Sequence, residues 1–443
     1  MNLIYDIHDR PKFGQLLLFA FQQVLAILAA TIVVPVIVGN NMSQSAALFG
    51  AGVGTLVYQL FTKFRSPVFL GSSFAFINSM VATFAAATAG ALSASAGFAG
   101  IVMGAAFAGL VYAIIALVVK IAGVKWINKL MPPVVIGPTV ALIGLSLAGA
   151  AIKDVFSYGP QDANGSFVMS APAWASFACA MVTLLTVVIA STYGKKMIKL
   201  IPFIIGILAG YVVATIFTLC GIPVIDFSVF QNMQVFAVPQ FTFLDALKGV
   251  KEINGSFIAT VAVAYIPVAF VVFAEHIADH KNLSSIIDED LLENPGLHRT
   301  LLGDGVGSMV GAFFGGCPNT TYGESVGCVA ITRNASVVTI TTAAIMCMVI
   351  SFFGPFVAFL DSIPGCVMGG VCVTLYGFIA CSGLKMIQQV DLNKNKNLFV
   401  VASILIPGIG GMAMAIGKVT LTTTACALIL GIIVNTLLSK SKE

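Results

Sequence analysis

The sequence predicts an all-α polytopic membrane protein of about fourteen transmembrane segments. Three observations carry that reading. Of 443 residues, 58% are hydrophobic and only 9% charged, with a mean hydropathy of +1.01, whereas soluble domains carry about 25% charged residues. One core cannot hide that much apolar surface, so the excess faces lipid. Apolar runs of about 20 residues, the length that spans a bilayer as a helix, recur along the whole chain. Finally, the basic residues sort by side.

Taken in order, the apolar segments fall near 14–36, 44–62, 68–86, 95–119, 132–152, 171–193, 200–220, 256–280, 300–315, 320–332, 335–359, 365–384, 397–416 and 419–438. Residues 66–119 contain no Asp, Glu, Lys or Arg, too long a stretch for one span, and the small residues from Thr88 to Ser95 divide it. With a cytoplasmic N-terminus, 18 of the 22 Lys and Arg lie inside, and only Lys153, Lys248, Lys251 and Lys418 lie outside. Cytoplasmic loops hold such an excess, so the split supports the orientation and an even span count. Trp126 and Trp174 stand at segment ends, where interfacial aromatics are common. The polar start, through Lys12, does not resemble a cleaved signal peptide.

Two segments are interrupted alike. Ser66-Pro67 leads through Leu70-Gly71-Ser72 to Phe74, and Cys317-Pro318 leads through Asn319-Thr320-Thr321 to Gly323 and Glu324. Each has a proline, a short extended run, and a helical stretch too short to span. They stand third in the first seven segments and third in the last seven, which points to two inverted seven-segment repeats around a central site. Irregular backbone at membrane depth is tolerated where it is buried in protein or lines a cavity.

Ionisable residues inside spans are costly and usually functional. Glu275 and Asp279 lie four apart, on one face of a helix, and Glu324 opens the short helix after the second break. Two carboxylates close together in a low dielectric do not both ionise easily, which makes a proton carrier of the pair. Asp279 and His280 stand next to Lys281 and are open to the bland reading of a solvated helix end; Asp304, five residues after Arg299, is expected to be interfacial. His276 and His280 are also four apart, yet histidines and carboxylates form adjacent stripes, so no metal is expected. The glycine-dense runs at Gly50–Gly54 and Gly303–Gly307 suit close helix packing better than nucleotide binding. No nucleophile elbow, P-loop or Ser/His/Asp pattern is present, so no enzyme and no cofactor is expected. A net charge of +4, spread along the chain, gives no nucleic-acid footprint. The nine cysteines show no CxxC pair and read as small buried hydrophobes.

Gly71 to Phe76, Ala274-Glu275-His276, Asn294 to Arg299, Pro318 to Glu324, and Gly327 with Thr332-Arg333 together resemble the nucleobase–ascorbate transporter family, within it the bacterial uracil permeases. The resemblance runs over nearly the whole chain. It implies a core domain (residues 1–122 and 223–360, segments 1–4 and 8–11) and a gate domain (residues 123–222 and 361–443, segments 5–7 and 12–14). It implies short antiparallel strands in segments 3 and 10. It implies a substrate site of Glu275, Glu324, the backbone at Phe74 and Gly323, and Tyr376; the i, i+4 spacing of Glu275 and Asp279 assigns that pair to proton coupling. It also implies a homodimer in a bacterial cytoplasmic membrane, lipid around it and both termini cytoplasmic. The sequence departs from the family pattern at Gln23, Ser325 and Asp279, where histidine, asparagine and histidine are usual. Proton-coupled uptake of uracil is the leading reading. A purine permease for xanthine or urate, a Na+-coupled symporter, and an anion exchanger of the sulfate-transporter type are the alternatives. An acidic site opposes the last.

Overall fold

The computed structural model describes residues 3–123, 132–195, 197–231, 233–416 and 419–439; Trp126 and the basic residues Lys125, Lys129, Lys196, Lys418, Lys440 and Lys442 lie outside the described residues. Helices α1 (Phe13–Val38) and α2 (Gln44–Phe61) lead to strand β1 (Leu70–Ser72), a 3-10 turn at Phe74–Phe76, α3 (Ile77–Ala89) and α4 (Ala94–Ala122). Next come α5 (Pro133–Ser146), α6 (Ala148–Val155), α7 (Ala171–Tyr193), α8 (Met197–Leu200) and α9 (Pro202–Leu219). The short α10 (Thr242–Gly249) precedes α11 (Gly255–Ile287), α12 (Leu297–Gly315), β2 (Asn319–Thr321), α13 (Gly323–Thr332), α14 (Val337–Ile350) and α15 (Gly354–Ser362). The chain closes with α16 (Gly365–Ile387), α17 (Asn395–Ile409), a hairpin of β3 (Met414–Ile416) and β4 (Val419–Leu421), and α18 (Thr423–Leu438).

Among the described residues, seven helical stretches are long and apolar enough to cross a membrane: α1, α4, α5 with α6, α7, α9, α11 and α16. Of the other expected segments, α2 and α12, with 18 and 19 residues, are as long as α9 but less apolar, and the rest are shorter or interrupted. Helix starts follow local chemistry. Ser43, Ser93, Ser170, Asn254 and Thr422 each accept the amide three residues on and cap α2, α4, α7, α11 and α18, covering one of the four amides a helix start leaves free.

Two expectations need correction. Segments 397–416 and 419–438 run into a hairpin: Met414–Ile416 and Val419–Leu421 pair as antiparallel strands, whose apolar residues raise hydropathy without a helical period. The segment placed at 256–280 runs on to Ile287, since His280 and Lys281 do not interrupt the helix. The loop before it contains α10, which packs on α4 and α12.

The elements pack in two groups. α2 lies along α12 and against α14, α12 also packs on α4, and α11 covers α3 and α4. Separately, α5 lies along α16, α16 packs on α6 and α7, α7 on α9, and α17 on α18 and α5. The groups meet where α11 touches α5, β4 and α18, and where α1 touches α9 and α16.

The start of the chain is docked on the first group. The Ile4 amide donates to the Arg333 carbonyl (2.7 Å), Ala335 N–H to Tyr5 O (2.9 Å) and Val337 N–H to Ile7 O (3.0 Å). Ser336 Oγ donates to Asp9 O (2.6 Å). Ile7 is buried in a cluster with Leu283, Ile287, Val326 and Val329.

Candidate functional site

The two interrupted segments pair with each other. β1 and β2 run antiparallel, with Leu70 opposite Thr321, Gly71 opposite Thr320 and Ser72 opposite Asn319. Ser73 N–H donates to Pro318 O (2.9 Å) and Tyr322 N–H to Phe69 O (3.1 Å), which extends the ladder at both ends. The strand amides thereby find partners in the protein interior, as backbone at membrane depth must. Close packing fixes the pair. The Tyr322 hydroxyl donates to Ser72 O (2.7 Å), and its ring fills the space above Gly71, where a Cβ would lie 2.3 Å from Cε2. Gly54 and Gly311 likewise leave room for the Asn319 amide, which donates to Gly50 O (3.1 Å). Gln23 and Ser325 meet here: Gln23 Nε2 donates to Ser325 O (3.4 Å), and Ser325 Oγ accepts from Phe69 N–H (3.0 Å).

Each strand turns into a helix at the same place. α13 begins at Gly323 without a side-chain cap on Tyr322, and the 3-10 turn begins at Phe74 without one on Ser73. The first amides of a helix carry a partial positive charge and no intrahelical partner. Such ends suit carbonyl or anionic groups of a ligand.

α11 supplies the carboxylates. Glu275 and Asp279 lie on one face and border a cavity of about 560 Å³, with Phe74, Thr320, Thr321, Gly323 and Glu324 on the same wall. Asp279 Oδ2 accepts from Thr321 Oγ1 (2.8 Å), tying α11 to β2. The opposite wall carries Val140, Phe203, Leu375, Phe378 and Ile379, from α5, α9 and α16. Ser191, Lys199, Ser382 and Met386 also line the cavity, at the end of α7, on α8 and towards the end of α16. Among the described residues the Lys ion pairs are Lys248–Asp245 and Lys394–Asp391, and the one His–carboxylate contact is His276–Asp304, so the three cavity carboxylates have no cationic partner there. A cavity of about 620 Å³ between the end of α3 and the start of α11 has no ionisable side chain in its lining.

The structure therefore brings Phe74, Glu275, Asp279, Gly323 and Glu324 to one cavity. Tyr376 is not in its lining. It is buried against Phe74, the two rings forming a T-shaped pair with centroids 6.3 Å apart. Asp304 corrects its expectation: it is fully buried, and Oδ2 lies 2.8 Å from His276 Nδ1. Its distance in sequence from Arg299 misled, because α12 already starts at Leu297 and Asp304 lies two turns inside it. His280 is buried too, and the Tyr58 hydroxyl meets its Nε2 at 2.6 Å. Thr321 and Lys199 were missed; Thr321 stood inside a quoted motif, whereas nothing local to Lys199 marks it.

Comparison with known proteins follows the same lines. A family profile described as "Permease family" matches residues 14–417. A uracil permease of Bacillus caldolyticus is 38% identical over 98% of this chain and 94% of its own length. One from Bacillus subtilis (strain 168) is 36% identical over 99% and 95%, and one from Escherichia coli (strain K12) 33% identical over 96% and 92%. All three are named as permeases, not enzymes. Among solved structures, the transmembrane domain of the cyanobacterial bicarbonate transporter BicA aligns over 98% of this chain and 100% of its own (TM-score 0.63, 13% identity). SLC26A9 aligns over 97% and 66% (TM-score 0.68, 13% identity). At that identity the likeness concerns the fold alone.

Proposed function

This chain belongs to the permease family of nucleobase–ascorbate transporters, and from that premise we propose that it imports uracil or a similar nucleobase by proton symport with alternating access. One observation carries the reading: Glu275, Asp279, Glu324 and two uncapped helix starts converge on one cavity. A uracil ring offers two N–H donors and two carbonyl acceptors. Glu275 and Glu324 accept the N–H groups, and the free amides at Phe74 and Gly323 donate to the carbonyls. The Phe74 ring covers the base, and Tyr376, packed against that ring in a T-shaped pair, limits its swing. The names of the relatives support the choice of uracil. The carboxylates oppose an anion as substrate.

Glu275 and Asp279 hold one proton between them, with an apparent affinity belonging to the pair. Loading that proton removes charge from the site and lowers the cost of moving it past the opposite wall. The two packing groups support a division into a core domain (1–122 and 223–360) that carries the site and a gate domain (123–222 and 361–443) that faces it. Fourteen segments in inverted repeats, a homodimer, and cytoplasmic termini in the inner membrane complete the proposal.

The test is uptake into proteoliposomes. An inward proton gradient without sodium accumulates labelled uracil, and a protonophore stops it. Uptake that needs sodium and ignores the proton gradient sinks the coupling. A panel of unlabelled bases settles the substrate: displacement by xanthine or urate, and not by uracil, overturns it.

A further inference from the structure

Glu275 and Asp279 face the cavity because α11 is turned to one angle about its own axis, and something must set that angle. Apolar packing does so only loosely, since one apolar face of a helix fits a greasy neighbour about as well as the next. Hydrogen bonds are directional. On α11 they come from the stripe next to the carboxylates. The His276 and His280 rings stack at 4.0 Å between centroids. His276 Nδ1 meets Asp304 Oδ2 (2.8 Å) and its Nε2 meets Thr300 Oγ1 (2.9 Å), both on α12. His280 Nδ1 meets the His276 carbonyl at 2.8 Å, so Nδ1 carries the proton and Nε2 is left as an acceptor. The Tyr58 hydroxyl, on α2, sits 2.6 Å from that Nε2 and 2.8 Å from Ser66 Oγ. His280, Tyr58 and Ser66 are all fully buried.

Ser66 immediately precedes Pro67 and the run into β1. One turn of α11 therefore touches both interrupted segments: Asp279 holds Thr321 of β2, and His280, through Tyr58, holds the approach to β1. Asp279 and Thr321 line the cavity, whereas His276, His280, Tyr58 and Ser66 do not.

We propose that His280, with Tyr58, is a positioning residue for transport: it fixes the rotation of α11 and the approach to β1, so that Glu275 meets the substrate at the angle the strand pair requires. This rests on the reading that Glu275 binds the nucleobase. His280 touches no substrate and acts only through Glu275 and the strands.

The experiment is a double-mutant cycle on purified protein in detergent, with uracil binding measured by calorimetry. His280→Leu removes the acceptor and raises Kd about fivefold, the scale of one lost hydrogen bond. His280→Gln, whose Oε1 still accepts from Tyr58, stays within about twofold. In a Glu275→Gln background His280→Leu adds little, because the group it positions is already altered; residues acting as a unit are non-additive. Equal penalties in both backgrounds, or equal affinity of the Leu and Gln variants, overturn the proposal. Where His280→Leu does not fold, Tyr58→Phe removes the hydroxyl alone and is read the same way. Where Glu275→Gln binds too weakly for the cycle, the Leu and Gln pair decides. Glu275→Gln with wild-type affinity refutes the binding role of Glu275 itself, a separate outcome.

Discussion

Gly71→Ala puts a methyl group where the structure has a tyrosine ring. The added Cβ would lie 2.3 Å from Tyr322 Cε2 and 2.4 Å from Cζ, while ordinary contact begins at 3.4 Å, so the ring or the strand must retreat by about an ångström. The ring is not free to do so, because its hydroxyl is fastened to Ser72 O on the same strand at 2.7 Å. Overpacking of a tight interior costs about 1–3 kcal/mol. The strain falls on the β1–β2 pair, whose ends deliver the Phe74 and Gly323 backbone to the cavity, so it appears in ligand affinity as a loss of about 5- to 150-fold. The assay is calorimetric titration of the detergent-purified variant with uracil. Adding Tyr322→Ala opens the space, so the Gly71→Ala/Tyr322→Ala pair binds no worse than Tyr322→Ala alone. A Gly71→Ala protein with wild-type affinity, or a double variant in which the penalties simply add, refutes the argument that the ring pins the strands.

Other outcomes follow from the same geometry. Glu324→Ala abolishes uracil binding while the protein stays folded, and Glu324→Gln loses less because its carbonyl still accepts an N–H; near-native affinity of the alanine variant by calorimetry refutes this. Asp279→Asn keeps equilibrium binding and loses uptake driven by a pH gradient, measured in proteoliposomes; loss of binding with intact gradient dependence reverses the assignment. Asn254→Ala removes the cap of α11 and costs about 1 kcal/mol, read as a lower thermal midpoint with unchanged affinity. Outside the spans, the Ser93 amide and hydroxyl hold the Glu252 carboxyl below its ordinary range. That contribution is present above the ordinary carboxylate value and is lost as pH falls through the depressed one. Glu252→Gln therefore lessens the drop in thermal midpoint on acidification below about pH 5, and an unchanged drop counts against the contact.

Much of the architecture was legible from local signals. Uncharged runs marked α1, α4, α7 and α16 to within a few residues, because a spanning helix needs little beyond length and hydropathy. The two Pro-containing breaks marked β1 and β2, because backbone irregularity leaves a trace in Gly, Pro and Thr usage. The carboxylate stripe at Glu275 and Asp279 was legible because i and i+4 share a face. What joins distant segments was not. His276 meets Asp304 across 28 residues and Tyr58 meets His280 across 222, and no local pattern announces either. Phe74 and Tyr376 meet across the boundary between the two packing groups, where only the folded geometry brings the rings together. The β3–β4 hairpin escaped because its apolar strand residues, inside a hydrophobic stretch, resemble a helix to any count that ignores period.

The docked segment at Ile4–Asp9 has a consequence for how the protein is made and handled. Its partners at Arg333–Val337 emerge from the ribosome only after three quarters of the chain, so the first residues must wait, unpaired, through most of membrane insertion. Ile7 then completes a cluster that includes Val326 and Val329 of α13, the short helix that begins beside the cavity. Closure of that cluster cannot precede synthesis of α13. A purification tag fused ahead of Ile4 adds bulk at this cluster, whereas one placed after α18 leaves it alone. The choice of terminus for a tag is, for this permease, a choice about whether the fastening of α13 to the start of the chain is left intact.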